Sequence, residues 1–332
     1  MTQPISSAIS LEPDRSPWAA GLQKLGTLAG LIAIIILFTT LRPRTFPSIG
    51  NVKLMLIQTA VVAIAALGMT LVIISGGIDL SVASTIAVVT MVVATLLNWN
   101  VPPLLAALGG VAAAGVLGLI IGLLISQLRL VPFIVTLGTW SAYRGIAKGI
   151  GQEQVINTES TWLNQLTINP TGAMRWMFLA PSVWIAIVLA LLVAGVMRYT
   201  RFGRHVFAIG SNEQTARLCG VRVERVKILV YVCSAALAGV AGVLQFSYIS
   251  QGDPTTAAGM ELNIIAAVVI GGASLSGGQG TICGTLIGAA IVTVLGNGCT
   301  KLGLQNWVQE IMTGAIIVLA SALDRFQHRG LA

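Results

Sequence analysis

The sequence predicts an all-α polytopic membrane protein with about ten transmembrane helices, some of them broken. Three observations support this fold class. Hydrophobic residues make up 55% of the chain and charged residues only 9%, whereas a soluble domain carries about 25% charged residues. Apolar runs recur at lengths that suit helices of ~20 residues. The longest cation-rich stretch, residues 198–227, lies between two such runs. We therefore expect one transmembrane domain over residues 1–332.

The formal net charge of +8 is better explained by membrane topology than by nucleic-acid binding. No basic patch is interleaved with exposed aromatic residues, as a nucleic-acid interface would require. The four cysteines form no CxxC or CxxH pair, so we expect reduced structural thiols, no metal site and no disulfide framework. They are Cys219, Cys233, Cys283 and Cys299. No cofactor is expected.

The first half of the chain contains a polar tail and five apolar runs. Residues 1–20 predict a flexible cytoplasmic tail. Arg42-Pro43-Arg44 follows the first run in place of a small-residue cleavage site, which predicts an uncleaved helix. Gly115, Gly118 and Gly122 in the fourth run favour close helix packing in lipid. The runs cover about 22–41, 54–75, 82–97, 104–126 and 133–151.

A polar excursion, a basic loop and five further runs make up the second half. Residues 151–178 are rich in polar side chains and carry Trp162 and Trp176, as a periplasmic excursion at the membrane surface would. Residues 198–227 hold seven cations against Glu213 and Glu224. The runs cover about 179–197, 228–249, 261–270, 281–295 and 307–323.

The basic segment 198–227 predicts the orientation of the chain. Positive loops are retained in the cytoplasm, so we expect this segment to lie there and to bind a cytoplasmic partner. An even number of crossings, about ten, then places both termini in the cytoplasm. Arg129 agrees with this topology. Arg42, Arg44 and Lys53 fall in the first external loop and oppose it, although the rule concerns the overall bias.

A short glycine motif occurs at the ends of two apolar runs. Gly76-Gly77-x-x-Leu80-Ser81 recurs as Gly271-Gly272-x-x-Leu275-Ser276. Glycine allows backbone geometry that a regular helix forbids. We favour tight turns between spans over substrate contacts at both places. Corresponding breaks in two halves of a carrier nevertheless indicate a translocation path. The candidate residues in these breaks are Gly76, Gly77, Ser81, Gly271, Gly272 and Ser274.

Few acidic residues lie near the apolar runs. Asp79 is the only carboxylate between Lys53 and Glu153. An acid at membrane depth is functional by default, but Asp79 can also cap the third helix by accepting backbone N–H bonds, and we favour the cap. Glu261 and Glu310 lie near helix starts, where the helix dipole favours an acid without any functional role.

The chain carries no recognisable catalytic or nucleotide-binding motif. HExxH, GxSxG and GxxxxGK followed by Ser or Thr are all missing. His205 and His328 stand in basic segments without a second ligand nearby, which predicts solvated surface positions. If ATP drives this protein, the nucleotide therefore binds to another chain.

Four segments together carry a family resemblance. They are GMTLVI at 68–73 running into GIDLSV at 77–82; FIVTLG at 133–138; Gly203-Arg204 with AIGSNE at 208–213 and ARLCGV at 216–221; and Glu261-Leu262 with IAAVVIGGASLSGGQG at 265–280. These segments resemble the membrane permease subunits of bacterial sugar ABC importers of the ribose, xylose and galactoside type. The resemblance covers nearly the whole chain.

The resemblance implies the fold of an ABC importer permease in the bacterial inner membrane. Two permeases, expected to be a homodimer, would dock on an ATP-binding subunit, and a periplasmic binding protein would deliver the sugar. The cytoplasmic coupling helix of the family matches residues 203–221 here. Contacts to the ATPase would come from Gly203, Arg204, Gly210, Ser211, Asn212, Glu213, Ala216, Arg217 and Gly220.

Within this segment we expect Asn212, Glu213 and Arg217 to share one helical face, with Ala216 as a small contact point.

The chain departs from the usual family pattern at Asn263, which stands where an acid is frequent. If that acid contacts the sugar, the neutral residue leaves the identity of the sugar open. Asn263 joins Asp79 and Glu261 among the candidate pathway residues.

Other functions stay open at this point. A permease for branched-chain amino acids shares a similar architecture. A stand-alone carrier driven by protons or sodium would place ionisable residues at mid-span, and this chain offers mainly Asp79 and the helix-start glutamates. A membrane enzyme is least favoured, since no nucleophile–base pair is visible.

Overall fold

The computed structural model describes residues 17–170, 177–305, 307–315 and 318, and within them the fold is mostly helical. The helices are α1 (Pro17–Leu41), α2 (Ile49–Ile74), α3 (Val82–Asn98), α4 (Pro103–Gln127), α5 (Pro132–Ile150), α6 (Pro181–Tyr199), α7 (Arg201–Ser211), α8 (Glu213–Leu218), α9 (Val223–Ile249), α10 (Met260–Ile270) and α11 (Ile282–Lys301). A helical stretch follows over 307–315. Two short strands, β1 (Ile156–Asn157) and β2 (Gln251–Gly252), and a 3-10 helix (Trp162–Thr167) complete the described part.

Five of the described helices are long and apolar enough to cross a bilayer, namely α2, α4, α6, α9 and α11. Shorter apolar helices are α3, α10 and residues Gly26–Leu41 of α1. The helical membrane fold is therefore confirmed, whereas the number of about ten spans stays a prediction. With 11 residues, α10 extends only ~16 Å, which is about half of a ~30 Å hydrocarbon core.

Helix α2 forms the centre of the bundle. From Ala60 onward it is apolar on nearly every face, and a helix of that kind needs neighbours on all sides. From Ala60 to Ile74 every residue of α2 is buried, and α6, α9, α10 and α11 pack around it. The buried Thr70 hydroxyl is satisfied by contact with the Thr285 hydroxyl at 2.8 Å. This contact fixes the C-terminal part of α2 against the start of α11.

The glycines of α4 allow the close packing that the sequence predicts. A Cβ on Gly118 would lie 2.5 Å from the carbonyl oxygen of Tyr231, and a Cβ on Gly122 would lie 2.9 Å from the Cα of Ile228. Gly115 faces open space. Two of the three small residues therefore bring the α4 backbone against α9, the partner helix that the sequence did not identify.

The two ends of the bundle differ in the segments that meet there. At one end, which we call the basic-loop end, α2 and α6 finish and α7 packs against both. At the opposite end, the far end, Asn51 near the start of α2 exchanges two hydrogen bonds with Asn297 near the end of α11, at 2.9 and 3.1 Å. The helices α2 and α11 thus run antiparallel between the two ends.

Three sequence predictions need correction. Helix α1 begins at Pro17, so the last residues of the predicted tail 1–20 are helical. The ninth run extends to Lys301, because the hydrogen bonds of Asn297 allow a polar residue inside the helix. The all-α class has one small exception in the described residues, since β1 in the excursion pairs antiparallel with β2. Trp176, His328 and parts of the tail 1–20 and of the run 307–323 lie outside the described residues.

Candidate coupling site and helix breaks

Helix α7 is amphipathic and sits on the basic-loop end. It begins where the Thr200 hydroxyl accepts the N–H of Gly203 at 3.3 Å. Its buried face carries Gly203, Val206 and Ile209, spaced three residues apart. A side chain at Gly203 would collide with the backbone of the preceding helix, so Gly203 packs inside the chain and the predicted ATPase contact is wrong at this position. Arg204 lies on the opposite, exposed face, where a partner can reach it.

Asn212 separates α7 from α8. Its backbone is extended, with φ −158° and ψ 105°, and its side chain accepts the N–H of Thr215 at 2.8 Å, so it caps α8. The prediction that Asn212 shares a helical face with Glu213 and Arg217 is therefore wrong, because a cap residue stands outside the helix. Glu213 and Arg217, four residues apart, do face the same way.

Ion pairs attach α8 to the start of α9. The Glu213 carboxylate accepts hydrogen bonds from Lys227 at 2.6 Å and from Arg217 at 3.4 Å, and Arg217 also pairs with Glu224 at 2.5 Å. Burial raises the pKa of Glu213, but the hydrogen bonds and charges of Lys227 and Arg217 outweigh it and leave the pKa below its ordinary value. Glu213 is thus used mainly within the chain, beside a groove of ≈ 520 Å³ that Arg129 also lines.

The remaining residues of the segment divide into buried and exposed sets. Ala216 is only 4% exposed, so it packs inside the chain and the predicted contact point is wrong at this position. Gly220 takes a left-handed φ of +83° just after α8, as in the common glycine termination of helices. Ser211 is exposed. The buried Ala216 and the turn at Gly220 therefore fix the shape of the segment that carries the exposed Leu218.

Leu218 is the functional candidate that sequence reasoning missed. It is 89% exposed at the last position of α8, on the polar segment that joins the membrane helices. A partner that covered this side chain would remove its apolar surface from water, which is favourable. The available signal was the leucine itself, a bulky apolar residue among the polar and small residues of 210–220.

The end of α7 meets both glycine breaks in one compact backbone junction. The carbonyl oxygen of Ile74 accepts the N–H of Gly278 at 2.8 Å. A Cβ on Gly210 would overlap that same carbonyl oxygen and would lie 2.5 Å from the Gly278 nitrogen. A Cβ on Gly277 would lie 2.8 Å from the carbonyl oxygen of Gly210 and 3.0 Å from the Cα of Gly76. Glycine at each position is what permits three backbone segments to touch.

Both copies of the glycine motif are tight turns that end a helix. Gly76 and Gly272 have left-handed φ values of +82° and +87°, which favour glycine. Gly77 lies against the hydroxyl group of Tyr231, so that a Cβ would come 2.5 Å from the phenol oxygen. Gly271 packs against the backbone of Gly284 in α11. The two turns, far apart in sequence, are joined through Gly277, which contacts both Gly210 and Gly76.

Asp79 organises the segment between the first break and α3. Its carboxylate is buried and accepts bonds from the Ser81 N–H at 2.9 Å and from the Ser81 hydroxyl at 2.6 Å. The prediction that Asp79 caps α3 is wrong, because the backbone N–H that it accepts belongs to Ser81, the N-cap residue, which lies outside the helix. In the second copy the Ser274 carbonyl accepts the N–H of Gly277 at 3.0 Å.

Helix α10 separates two candidates that the sequence placed together. At 100° per residue, Glu261 and Asn263 point about 160° apart. Asn263 lines a cavity toward α11, whereas Glu261 interacts electrostatically with Arg144 of α5. Sequence reasoning missed Arg144, whose guanidinium donates to the carbonyls of Pro254 and Thr256 at 2.9 and 2.8 Å.

This charged pair is incomplete in the described part of the chain. One guanidinium nitrogen of Arg144, Nη2, and one carboxylate oxygen of Glu261, Oε2, are buried without a hydrogen-bond partner. The two groups attract one another, and buried charges of this kind are costly unless paired. Arg144 therefore holds the turn before α10 in place and compensates the Glu261 charge from a distance.

Comparison with known proteins gives consistent matches over most of the chain. A family model described as branched-chain amino acid transport system / permease component matches residues 51–321. The chain is 37% identical over 305 residues to the ribose import permease protein of Escherichia coli (strain K12), covering 92% of this chain and 94% of that protein.

Two further relatives extend the same pattern. The ribose import permease protein of Bacillus subtilis (strain 168) is 38% identical over 321 residues, covering 96% of this chain and 97% of that protein. The D-allose transport system permease protein of Escherichia coli (strain K12) is 33% identical over 304 residues, covering 91% of each chain. No solved structure matches the chain.

Proposed function

The chain belongs to the branched-chain amino acid transport system / permease component family, and from this premise we propose that it forms the translocation pathway of an ATP-driven importer for a monosaccharide. Relatives named for ribose and D-allose align over at least nine-tenths of their length. Their names support a sugar over a branched-chain amino acid, despite the description of the family. The chain is a transport subunit of the inner membrane and not an enzyme.

The partners follow from the same assignment. An ABC importer combines its permease with an ATPase and with a periplasmic binding protein. We propose that ATP is hydrolysed on a separate chain and that two identical permeases pair around the pathway. The exposed surface of residues 198–227, with Arg204, Ser211 and Leu218, is the docking surface for the ATPase.

The observation that carries this proposal is the Gly210 junction. A docking segment can influence a pathway only if its movement reaches the pathway helices. The Gly210 backbone touches the ends of both glycine breaks, with no side chain between them. Because the contacts are between backbones, a displacement of α7 cannot be absorbed by a side-chain rotation. The same contact explains why glycine occupies positions 210, 277 and 278.

The proposed membrane topology has about ten crossings with both termini in the cytoplasm, within a single domain over residues 1–332. The seven cations of residues 198–227 support a cytoplasmic basic-loop end. The excursion 151–178 is then periplasmic. In this count the 11-residue helix α10 and its break are taken together as one crossing.

The proposal is tested by purifying the chain in gentle detergent from its native membranes and identifying the proteins that accompany it. We expect a stoichiometric ATP-binding protein, which is lost when residues 210–217 are scrambled. Leu218→Glu tests the docking surface more specifically than the scrambled segment does, because an 89% exposed side chain can be changed without disturbing the fold. Ile49→Glu, 77% exposed at the start of α2 at the far end, is the matched control and should retain the ATPase.

Uptake assays separate the proposed function from its competitors. Competition by ribose and not by leucine would support a sugar permease. A chain that purifies alone and transports in vesicles without ATP would overturn the proposal, above all if an uncoupler abolished that transport. Asp79, buried between α2 and α3, would then be the first residue to examine.

A further inference from the structure

A cavity of ≈ 500 Å³ lies between α10, α11 and the helical stretch 307–315. This volume is within the range of about 300–1,000 Å³ that small-molecule sites occupy. Polar side chains from two separate helices line it, namely Asn263, Gln309, Glu310 and Thr313. Leu262 and Leu295 contribute apolar surface. The cavity thus combines hydrogen-bonding groups with an apolar wall.

We propose that this cavity is the entry site at which the permease first holds the sugar. The assignment rests on the proposed function, since it takes a monosaccharide to be the substrate. A monosaccharide presents hydroxyl groups at its edges and C–H groups on its faces. The Asn263 amide can both donate and accept hydrogen bonds, and a Glu310 carboxylate accepts them. An apolar wall suits the C–H faces.

The lining favours a sugar over a lipid chain. A lipid tail offers no hydrogen bonds, so the polar groups of Asn263 and Gln309 would be desolvated without compensation. The side-chain amide nitrogen of Gln309 donates long hydrogen bonds to the Thr300 hydroxyl and to the Leu304 carbonyl, at 3.3 and 3.4 Å. Its side-chain oxygen faces Gly296 across the cavity. The polar lining therefore needs a polar occupant.

The position of the cavity fits an entry site. Gly296 lies fourteen residues beyond Ile282, the first residue of α11, which corresponds to about 21 Å along the helix. The start of α11 belongs to the basic-loop end, because the preceding Gly278 contacts Gly210 there. The cavity is therefore near the far end, the side at which a periplasmic protein would release its sugar.

Gly296 offers a way to fill the cavity without disturbing the bundle. A Cβ at this position meets only the side-chain oxygen Oε1 of Gln309, at 3.9 Å. Leucine also favours a helix more than glycine does. We expect Gly296→Leu to insert, to retain the ATPase and to lower uptake of radiolabelled ribose at least tenfold. Gly195→Leu is the matched control, since Gly195 of α6 has nothing within 4 Å and does not line the cavity.

A second measurement asks whether sugar reaches the cavity. In a Gly296→Cys variant, a membrane-impermeant maleimide added from outside should modify the new thiol, and ribose should slow that modification. The native chain treated alike gives the background, since Cys299 lines the cavity but is buried, whereas Cys219 and Cys283 are exposed elsewhere and react in every variant. Gly195→Cys should show no protection by ribose.

Each outcome decides the assignment. Normal ribose uptake by Gly296→Leu, together with labelling of Gly296→Cys that ribose leaves unchanged, would overturn the entry site and leave the proposed function standing. Loss of permease pairing in Gly296→Leu would also overturn it and would identify the cavity as a contact between two copies of this chain. A native complex that imports no monosaccharide would overturn the proposed function, and the entry site with it.

Discussion

Gly210→Ala should undock α7 from the two helix breaks. Two effects oppose each other in this substitution. Alanine is favoured over glycine inside a helix by up to ~1 kcal/mol, which alone would stabilise α7. The new Cβ, however, would overlap the Ile74 carbonyl oxygen and lie 2.5 Å from the Gly278 nitrogen. Both atoms are backbone and are joined by a hydrogen bond of 2.8 Å, so no flexible side chain can move aside.

The magnitude follows from these contacts. Overpacking of this kind costs about 1–3 kcal/mol, and the hydrogen bond between Gly278 and Ile74 contributes about 1 kcal/mol if it breaks. After subtraction of the gain in helix propensity, the net cost is about 2 kcal/mol. Since ~1.4 kcal/mol corresponds to tenfold, the docked population of α7 should fall roughly 30-fold relative to the undocked population.

Limited proteolysis by trypsin in isolated membranes measures this population. Arg204 and Arg217 are exposed, but their backbone is helical and becomes cleavable when the segment leaves the bundle and unwinds. Gly195→Ala is the control, since nothing lies within 4 Å of a Cβ there. We expect faster cleavage and lost uptake in Gly210→Ala, and neither in the control. Equal cleavage rates together with normal uptake would refute the junction as a close backbone contact.

Three further predictions concern charged side chains. Glu213→Lys should abolish uptake while the chain still inserts, because it places a like charge beside Lys227, and a simultaneous Lys227→Glu should restore part of the uptake. Acidification below pH 4.5, the ordinary carboxyl pKa, should release α8, because a depressed folded-state pKa gives stability that is lost as the pH falls through it. A spin label on the exposed Cys219 would then become more mobile, with the equally exposed Cys283 replaced by serine so that it takes no label. Arg144→Ala should lower the melting temperature in detergent, since each charged hydrogen bond contributes about 1.5–3 kcal/mol.

Matched variants show what would contradict these predictions. Glu213→Gln should give a mobile label already at neutral pH, and an unchanged acid transition in this variant would assign the transition to another group. If Glu213→Lys alone transports normally, the ion pairs of α8 have no part in coupling. If Glu261→Gln does not lessen the effect of Arg144→Ala, the two charges are energetically independent.

Local chemistry explains which features the sequence revealed. Composition and apolar runs determined the membrane class, because a chain with so few charged residues cannot cover a soluble surface. Glycine pairs marked the ends of α2 and α10, because a left-handed backbone at Gly76 and Gly272 is a local requirement. The cation-rich segment marked the basic-loop end, because charge, like backbone preference, is a property of each residue.

Tertiary structure decided how these parts meet. That Gly210 joins two breaks almost 200 residues apart depends on the packing of α2, α7 and the loop before α11, which no local pattern encodes. The opposite faces taken by Glu261 and Asn263, and the link from Arg144 to the turn before α10, likewise depend on which helices become neighbours. Sequence by itself determined the membrane class and the helix ends, because backbone preference and hydropathy act locally, whereas contacts between distant segments exist only once the bundle has packed.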